Sequence, residues 1–470
     1  MKKIFIYTLL LSMLLVHTNT VYAKDMENKK SAEKNEIQNN EKDNVELNIN
    51  KYLGNKLNIH KKGFITNKLY PTFNIGYLNN FYLQDFSTLN HLFKDKIEKD
   101  TESNVEEDSI VNFEEIESVL PIDDVEFYEE ITLLAAGDNL IHSGIISAGK
   151  RTDGSYNYDD IYSGIKEYIN EFDIRVLNQE TVFTTDESQF SGYPLFGGPI
   201  EIGQAVANTG FNVITHATNH SYDKKLSGIT DTLTLWKTLD IPVIGMYESQ
   251  EDYDSVFIYE IKNTKIAMVN YTYGLNGLKL PKDKQYLVTT LNDKEKIIKD
   301  LQYAEDNADI TIVFPHWGTE YTHTETKEQI NWAEFFVKYG ADLIIGTHPH
   351  VIEPLKIITN DEGQQVPVYY SIGNFMSSQD KVPRVLGAFA EVTIVNDNGN
   401  VYIKTTNMTP IVTHATNYNK SFNVYLLENY SEDLASKHNL RRKLGNDMSY
   451  DNLIKIWEKV SKNNQYISVE

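Results

Sequence analysis

Residues 130–415 predict an α/β domain, on three observations. Short apolar runs alternate with helical periods, the pattern of buried parallel strands linked by helices. Five of those runs end in a side chain able to bind a metal ion. After residue 365 the rhythm changes to antiparallel strands, with Asn398-Gly399 as the strongest turn dipeptide.

In chain order, the run 131–136 ends in Gly137-Asp138, and residues 161–172 carry a helical period. The run 173–177 ends in Asn178-Gln179-Glu180, and 211–214 ends in Thr215-His216-Ala217-Thr218-Asn219-His220. Helical periods follow over 231–239 and 293–308. The run 310–314 ends in Pro315-His316-Trp317-Gly318, a helix is expected over 327–339, and 343–345 ends in Gly346-Thr347-His348-Pro349-His350. Segments 366–372, 388–395 and 401–406 read as antiparallel strands, with Asn396-Asp397-Asn398-Gly399 as a hairpin turn. Residues 370–375 read as a strand ending in a Gly373-Asn374 turn. Residues 416–470 read as a charged helical tail, with its helical pattern over 431–463.

The amino-terminal part reads differently. Lys2 and Lys3 precede an apolar run over 4–16, followed by Val21-Tyr22-Ala23. This is an expected export signal, residues 1–23, cleaved after Ala23; an uncleaved membrane anchor is the rival. Either way the protein is expected outside the cytoplasm, extracellular or at the cell surface. Residues 24–129 are acidic or rich in Asn and Lys and are expected to be largely disordered, apart from an aromatic segment at 51–95. Between 101 and 130 there are twelve acids and no base, which reads as a solvated linker.

Composition narrows the chemistry. A formal net charge of −23 and the lack of a basic stripe exclude nucleic acid as a partner. With no cysteine, thiolate metal sites, disulfides, a cysteine nucleophile and a cysteine-borne lipid anchor are excluded. A metal must then be held by His, Asp, Glu and Asn, a set suited to manganese (Mn), iron (Fe) or zinc (Zn).

In open α/β sheets, ligands gather beyond the carboxyl ends of the strands. Asp138, Glu180, Asn219, His220, His316, His348 and His350 are therefore expected to converge. In extended backbone, residues two apart face one side, so His348 and His350 are expected to aim at one cluster. Asn219 offers a neutral oxygen, His220 can donate a proton, and the two oxygens of Glu180 can bridge two ions. Asn374 and Arg384 are candidates for substrate contact, although a turn and a surface role are their plainer readings. Trp317 reads as a packing residue. No Gly-x-Ser-x-Gly elbow occurs, so a serine hydrolase has little support.

The ordered motifs Gly137-Asp138, Asn178-Gln179-Glu180, Ala217-Thr218-Asn219-His220, His316-Trp317-Gly318, Gly346-Thr347-His348-Pro349-His350 and Tyr370-Ser371-Ile372-Gly373-Asn374-Phe375 resemble those of poly-γ-glutamate capsule-synthesis (CapA-like) proteins. That family is similar to calcineurin-like metallophosphoesterases. The resemblance implies a four-layer α/β/β/α sandwich and two divalent metal ions. Asp138 and His350 would bind one ion, Asn219, His316 and His348 the other, and Glu180 would bridge them. His220 would be the proton donor or would stabilise the transition state.

Two departures stand out. Leu140 occupies the place where most phosphoesterases carry a metal-binding His, with His142 as a candidate substitute, and the bridging carboxylate is Glu rather than Asp.

The function expected from this is a metal-dependent hydrolase of capsule or envelope-polymer synthesis. A metal-activated hydroxide would attack a phosphoryl or acyl centre. Its partners would be an anionic polymer or phosphoester substrate and membrane-embedded capsule-synthesis subunits. The rivals are a non-catalytic assembly or export subunit on the same scaffold and a general secreted phosphoesterase.

Overall fold

Two mixed sheets carry the described part of the chain, residues 127–469 of a computed structural model. The expected export signal at 1–23, the aromatic segment 51–95 and nearly all of 24–129 lie outside the described residues. The strands are β1 (Tyr128–Asn139), β2 (Ile174–Asn178), β3 (Phe183–Thr184), β4 (Gly198–Pro199), β5 (Val213–Thr215), β6 (Val243–Ile244), β7 (Phe257–Ile261) and β8 (Thr264–Thr272). They continue with β9 (Ile310–His316), β10 (Leu343–Ile345), β11 (Leu355–Thr359), β12 (Gln365–Tyr369), β13 (Asn374–Met376), β14 (Leu386–Asp397), β15 (Asn400–Thr416) and β16 (Ser421–Leu426). The longer helices are α1 (Ile200–Thr209), α2 (Lys225–Thr238), α3 (Lys294–Asn307), α4 (Lys327–Lys338) and α5 (Tyr450–Ser461).

The first sheet has the order β16-β15-β14-β1-β2-β5-β6, and β13 pairs with the end of β1. The second runs β11-β12-β10-β9-β8-β7. Each contains a parallel block, β1-β2-β5-β6 and β8-β9-β10-β12, flanked by antiparallel strands. The chain leaves β12 of the second sheet and enters β13 of the first, tying the two together at the strand ends.

Side-chain alternation on the strands builds the core. Ile131, Leu133 and Ala135 of β1 share one buried cluster with Ile266, Ile312 and Ile345 of the second sheet. Leu134 and Ala136, on the other face of β1, pack with Ile202, Val206 and Trp236 of α1 and α2. Likewise Val313 and Ile344 turn toward Ile297 and Leu301 of α3 and Phe336 of α4. Asp293 caps α3, and Thr326 with Gln329 forms a capping box on α4, which explains the sharp start of both helices.

Several expectations are corrected. The helix expected over 161–172 is two single turns, Asp159–Tyr162 and Lys166–Ile169. Gly164 lies between them, pressed against Asn423 and Val424, where a Cβ would collide. The helix expected at 231–239 starts earlier, at Lys225. Segment 366–372 stops as a strand at Tyr369 and belongs to the second sheet, running parallel to β10 and antiparallel to β11. Asn374 begins a strand instead of ending one.

The segment 416–470 is more than a helical tail. β16 is an edge strand whose buried Phe422, Val424 and Leu426 follow the two-residue alternation of a strand. Leu440, Leu453 and Val460 join the cluster shared by the two sheets. The β14–β15 hairpin does turn at Asn398-Gly399, both at positive φ (54° and 87°). Among the described residues, no helix is long and apolar enough to cross a membrane.

Candidate metal centre

The parallel blocks deliver their carboxyl ends to one place. Asp138 is the last residue but one of β1, Glu180 follows β2, Asn219 and His220 follow β5, His316 ends β9, and His348 and His350 follow β10. All seven are buried. Gly137 permits the approach: a Cβ there would collide with the Gly373 carbonyl oxygen, and the Asp138 N–H donates to that same oxygen at 3.0 Å. Asp138 is thereby set beside Asn374 across β1 and β13.

Potential ligand atoms fall into groups within 4.8 Å of one another: Asp138, Glu180 and His350 form one, and Glu180, His316 and His348 another. Glu180 is common to both. One of its oxygens lies 3.7 Å from His316 Nε2, the other 3.8 Å from His350 Nδ1. Both oxygens are buried with no hydrogen-bond partner among the described residues, as is His348 Nδ1. Unsatisfied buried carboxylate oxygens are costly, and two imidazole-bearing groups facing them make a donor set that fits divalent cations. A third group joins Glu320 to His348 and His350. Glu320 lies in the loop four residues past His316, is exposed, and was not picked out by sequence reasoning.

The surrounding hydrogen bonds orient these ligands. Asn178 Nδ2 donates to Asp138 Oδ1 at 2.8 Å and its own oxygen accepts from Thr215, which links β1, β2 and β5. His316 Nδ1 lies 3.0 Å from Thr347 Oγ1, which turns Nε2 toward Asn219 Oδ1 at 2.9 Å. His350 Nδ1 lies 3.0 Å from Asp138 Oδ2 and 3.1 Å from Asn374 Oδ1.

The backbone around Pro349 differs from expectation. His348 and His350 have φ of 99° and 59°, so they are not in extended strand. Their ring centroids still come within 5.9 Å, but through left-handed backbone, which for a non-glycine residue costs about 1–3 kcal/mol. Strain of this kind persists only where the surroundings over-determine it, here at the cluster.

Burial sets the protonation. It pushes His316 and His348 well below the ordinary imidazole value, and neighbouring imidazoles push them further, so both are neutral. Burial opposes charge on His350 too, but Glu180 and Asp138 outweigh it and hold that imidazole up to about 9. Burial drives Glu180 well above the usual carboxylate range against the pull of His350.

His220 sits at the edge of the cluster. Its Nδ1 is 2.6 Å from Asp223 Oδ2, and Asp223 also accepts from the Phe196 N–H at 2.7 Å. The Phe196 ring meets the imidazole edge to face at 4.6 Å. The carboxylate fixes ring orientation and turns Nε2 away from it, with the Asn276 amide nitrogen 3.5 Å from Nε2; an imidazole oriented by a carboxylate is the arrangement a histidine proton donor needs. Asp223, three residues on within the same loop, is a partner that spacing could have suggested.

The other candidates divide. His142 lines the cleft, its Nδ1 lies 3.1 Å from the Leu140 carbonyl oxygen, and it joins none of the three ligand groups among the described residues. Asn374 is buried; its amide donates to the carbonyl oxygens of His350 and Arg384 and its oxygen lies 3.1 Å from His350 Nδ1, contacts that position His350. Arg384 lines the cleft beside His220 and His350. Trp317 packs on Tyr370 and donates to its carbonyl oxygen at 2.9 Å.

The profile of the bacterial capsule synthesis protein family PGA_cap matches residues 132–379, more than half of the chain. The chain belongs to this family. The family match spans every residue of the cluster. A relative named capsule biosynthesis protein CapA, from Bacillus anthracis, is 26% identical over 271 residues, covering 56% of this chain and 63% of that protein. The PGA biosynthesis protein CapA of Bacillus subtilis is 30% identical over 170 residues, 36% of this chain and 43% of that protein. The chain thus spans less than two thirds of the length of either relative. A phosphatase structure from Mycoplasma pneumoniae overlaps 60% of this chain and 94% of its own, at 16% identity and a TM-score of 0.39.

Proposed function

We propose that this protein is an exported, metal-dependent hydrolase of capsule or envelope-polymer synthesis, acting on poly-γ-glutamate or a related anionic polymer. The single observation that carries the reading is Glu180, whose two oxygens have no hydrogen-bond partner among the described residues and face two separate histidine groups. Asp138 and His350 would hold one divalent ion, and Asn219, His316 and His348 the other, with Glu180 shared. Such ions, Mn, Fe or Zn, would polarise a phosphoryl or acyl oxygen and supply a nucleophile at neutral pH. His220, oriented by Asp223, would protonate the leaving group. Arg384 would orient an anionic group of the substrate at the cleft, beside His350. Family membership supports the capsule role, and Lys2, Lys3 and the apolar run after them support export, with membrane-embedded synthesis subunits as partners.

One observation favours a second reading, a non-catalytic assembly subunit. Asp138, His350 and Asn374 satisfy one another without an ion, and Leu140 stands where a further ligand would be. Elemental analysis of the full chain, with a panel of phosphoesters and γ-linked glutamate oligomers, separates the two. The hydrolase reading expects about two metal ions per chain, with metal content and turnover both lost in Glu180→Gln. A wild-type protein that takes up no transition metal, or Glu180→Gln with unchanged metal and polymer production, would leave the scaffold reading in its place.

A further inference from the structure

Two cavities adjoin on the described domain. The first, about 280 Å³, is the cleft lined by His220, His350 and Arg384. The second, about 320 Å³, is lined by Ser377, Tyr418, Arg442 and Lys443. Ser378, Gln379 and Asp380 border both, so the two cavities are separated by that one segment.

Both cavities display the same device. The Arg384 guanidinium lies 3.4 Å from the centre of the Tyr321 ring, and that of Arg442 lies 3.7 Å from the centre of the Tyr418 ring. The chain has five arginines. Arg151, Arg175 and Arg441 donate to carbonyl or carboxylate oxygens of the protein. Among the described residues, Arg384 has no side-chain hydrogen bond, and Arg442 has one, to Asn439 at 3.2 Å. A guanidinium stacked on an aromatic face keeps its edge donors free, and that edge matches a carboxylate or phosphate.

The second cavity is also built at a cost. Asn417, Tyr418 and Asn419 have φ of 51°, 61° and 59°. Asparagine tolerates this left-handed backbone, but a tyrosine between two such residues is strained. Asn439 holds the turn by accepting from the Tyr418 N–H at 3.1 Å and donating to the Asn419 side chain. The strain presents a tyrosine that is 76% exposed beneath a guanidinium. Ser377 Oγ, buried in the wall, has no partner among the described residues. The carboxylate between the two cavities, Asp380, is neutralised by an ion pair with Lys443.

We infer that the second cavity is a subsite for a distal anionic unit, so that the protein engages an extended oligoanion and not an isolated small ester. This rests on the hydrolase reading for the role of the first cavity, but the test reads binding alone. The full chain, metal-loaded and metal-free, is titrated calorimetrically with γ-linked glutamate oligomers of increasing length, and in a second arm with phosphate, pyrophosphate and tripolyphosphate. Affinity should rise with length by on the order of 10²-fold once both cavities are reached. Arg442→Gln and Tyr418→Ala should each remove most of that rise, and Arg442→Lys should retain part of it. Both positions lie on the surface of the cavity, and melting curves confirm folding. A rise in the phosphate arm alone keeps the subsite and assigns it to phosphate chains. Equal affinity at every length, or an undiminished rise in Arg442→Gln, overturns it. Absence of hydrolysis would sink the proposed activity and leave this result standing.

Discussion

On the Asp138 side of the cluster, the ligand atoms already have partners: His350 lies against Asp138 and Asn374, and Asp138 accepts from Asn178. On the Asn219 side, His316 Nε2 lies 2.9 Å from Asn219 Oδ1, but His348 Nδ1 has no partner among the described residues and both imidazoles are neutral. The first half holds a charged pair that a cation would have to displace, and the second holds neutral donors ready for one. Metal affinity is set by such proton competition as much as by ligand count. The halves should therefore fill in order, with the Asn219 side first.

The sharpest break of that comparison is His348→Ala against His350→Ala. His348→Ala should lose the tighter ion and drop hydrolysis to background, because the ready half is gone. His350→Ala should keep about one ion per chain by elemental analysis, since the three ligands of the other half remain. Equal metal loss in both variants would mean that the halves do not differ.

Next in size is His220→Ala. It should keep its metal and lose about 10²–10⁴-fold in kcat, read with a substrate whose leaving group needs protonation. An activated leaving group should mask most of the loss. Metal loss in this variant would move His220 into the ligand set.

The smallest effect concerns the paired half and its missing ligand. His350 is held up to about 9, so throughout the pH range below about 9 an ion binding there displaces a proton. Affinity of that half should rise with pH across this window and level off above it, as read by calorimetry in buffers of different ionisation enthalpy. In ion-free protein the sign is opposite. The raised pKa contributes stability that is fully present below about 6.5 and is lost as pH rises through about 9. Leu140→His should tighten the second ion by about 10–100-fold and weaken the pH dependence. An unchanged profile would mean that position 140 does not reach the ion.

Much of this arrangement was legible locally. Apolar runs of strand length located β1, β2, β5, β9 and β10, and the rule that parallel strands gather ligands at their carboxyl ends brought Asp138, Glu180, Asn219, His220, His316, His348 and His350 together. The Asn398-Gly399 turn was equally plain, because a two-residue hairpin needs positive φ and those residues tolerate it. Strand β16 was missed despite the alternation of Phe422, Val424 and Leu426, since its charged flanks read as helix.

What the amino-acid order determined by itself was the set of elements and the residues at their ends, because periodicity and capping act over a few neighbours. Tertiary structure alone decided which oxygen of Glu180 faces which histidine, that His348 and His350 meet through left-handed backbone, and that Glu320 joins them. It alone set Arg384 over Tyr321 and Arg442 over Tyr418 beside adjoining cavities. Each of these depends on side chains brought together from separate elements. Their distances follow from how two sheets and the carboxyl-terminal helices pack, and no local signal carries that.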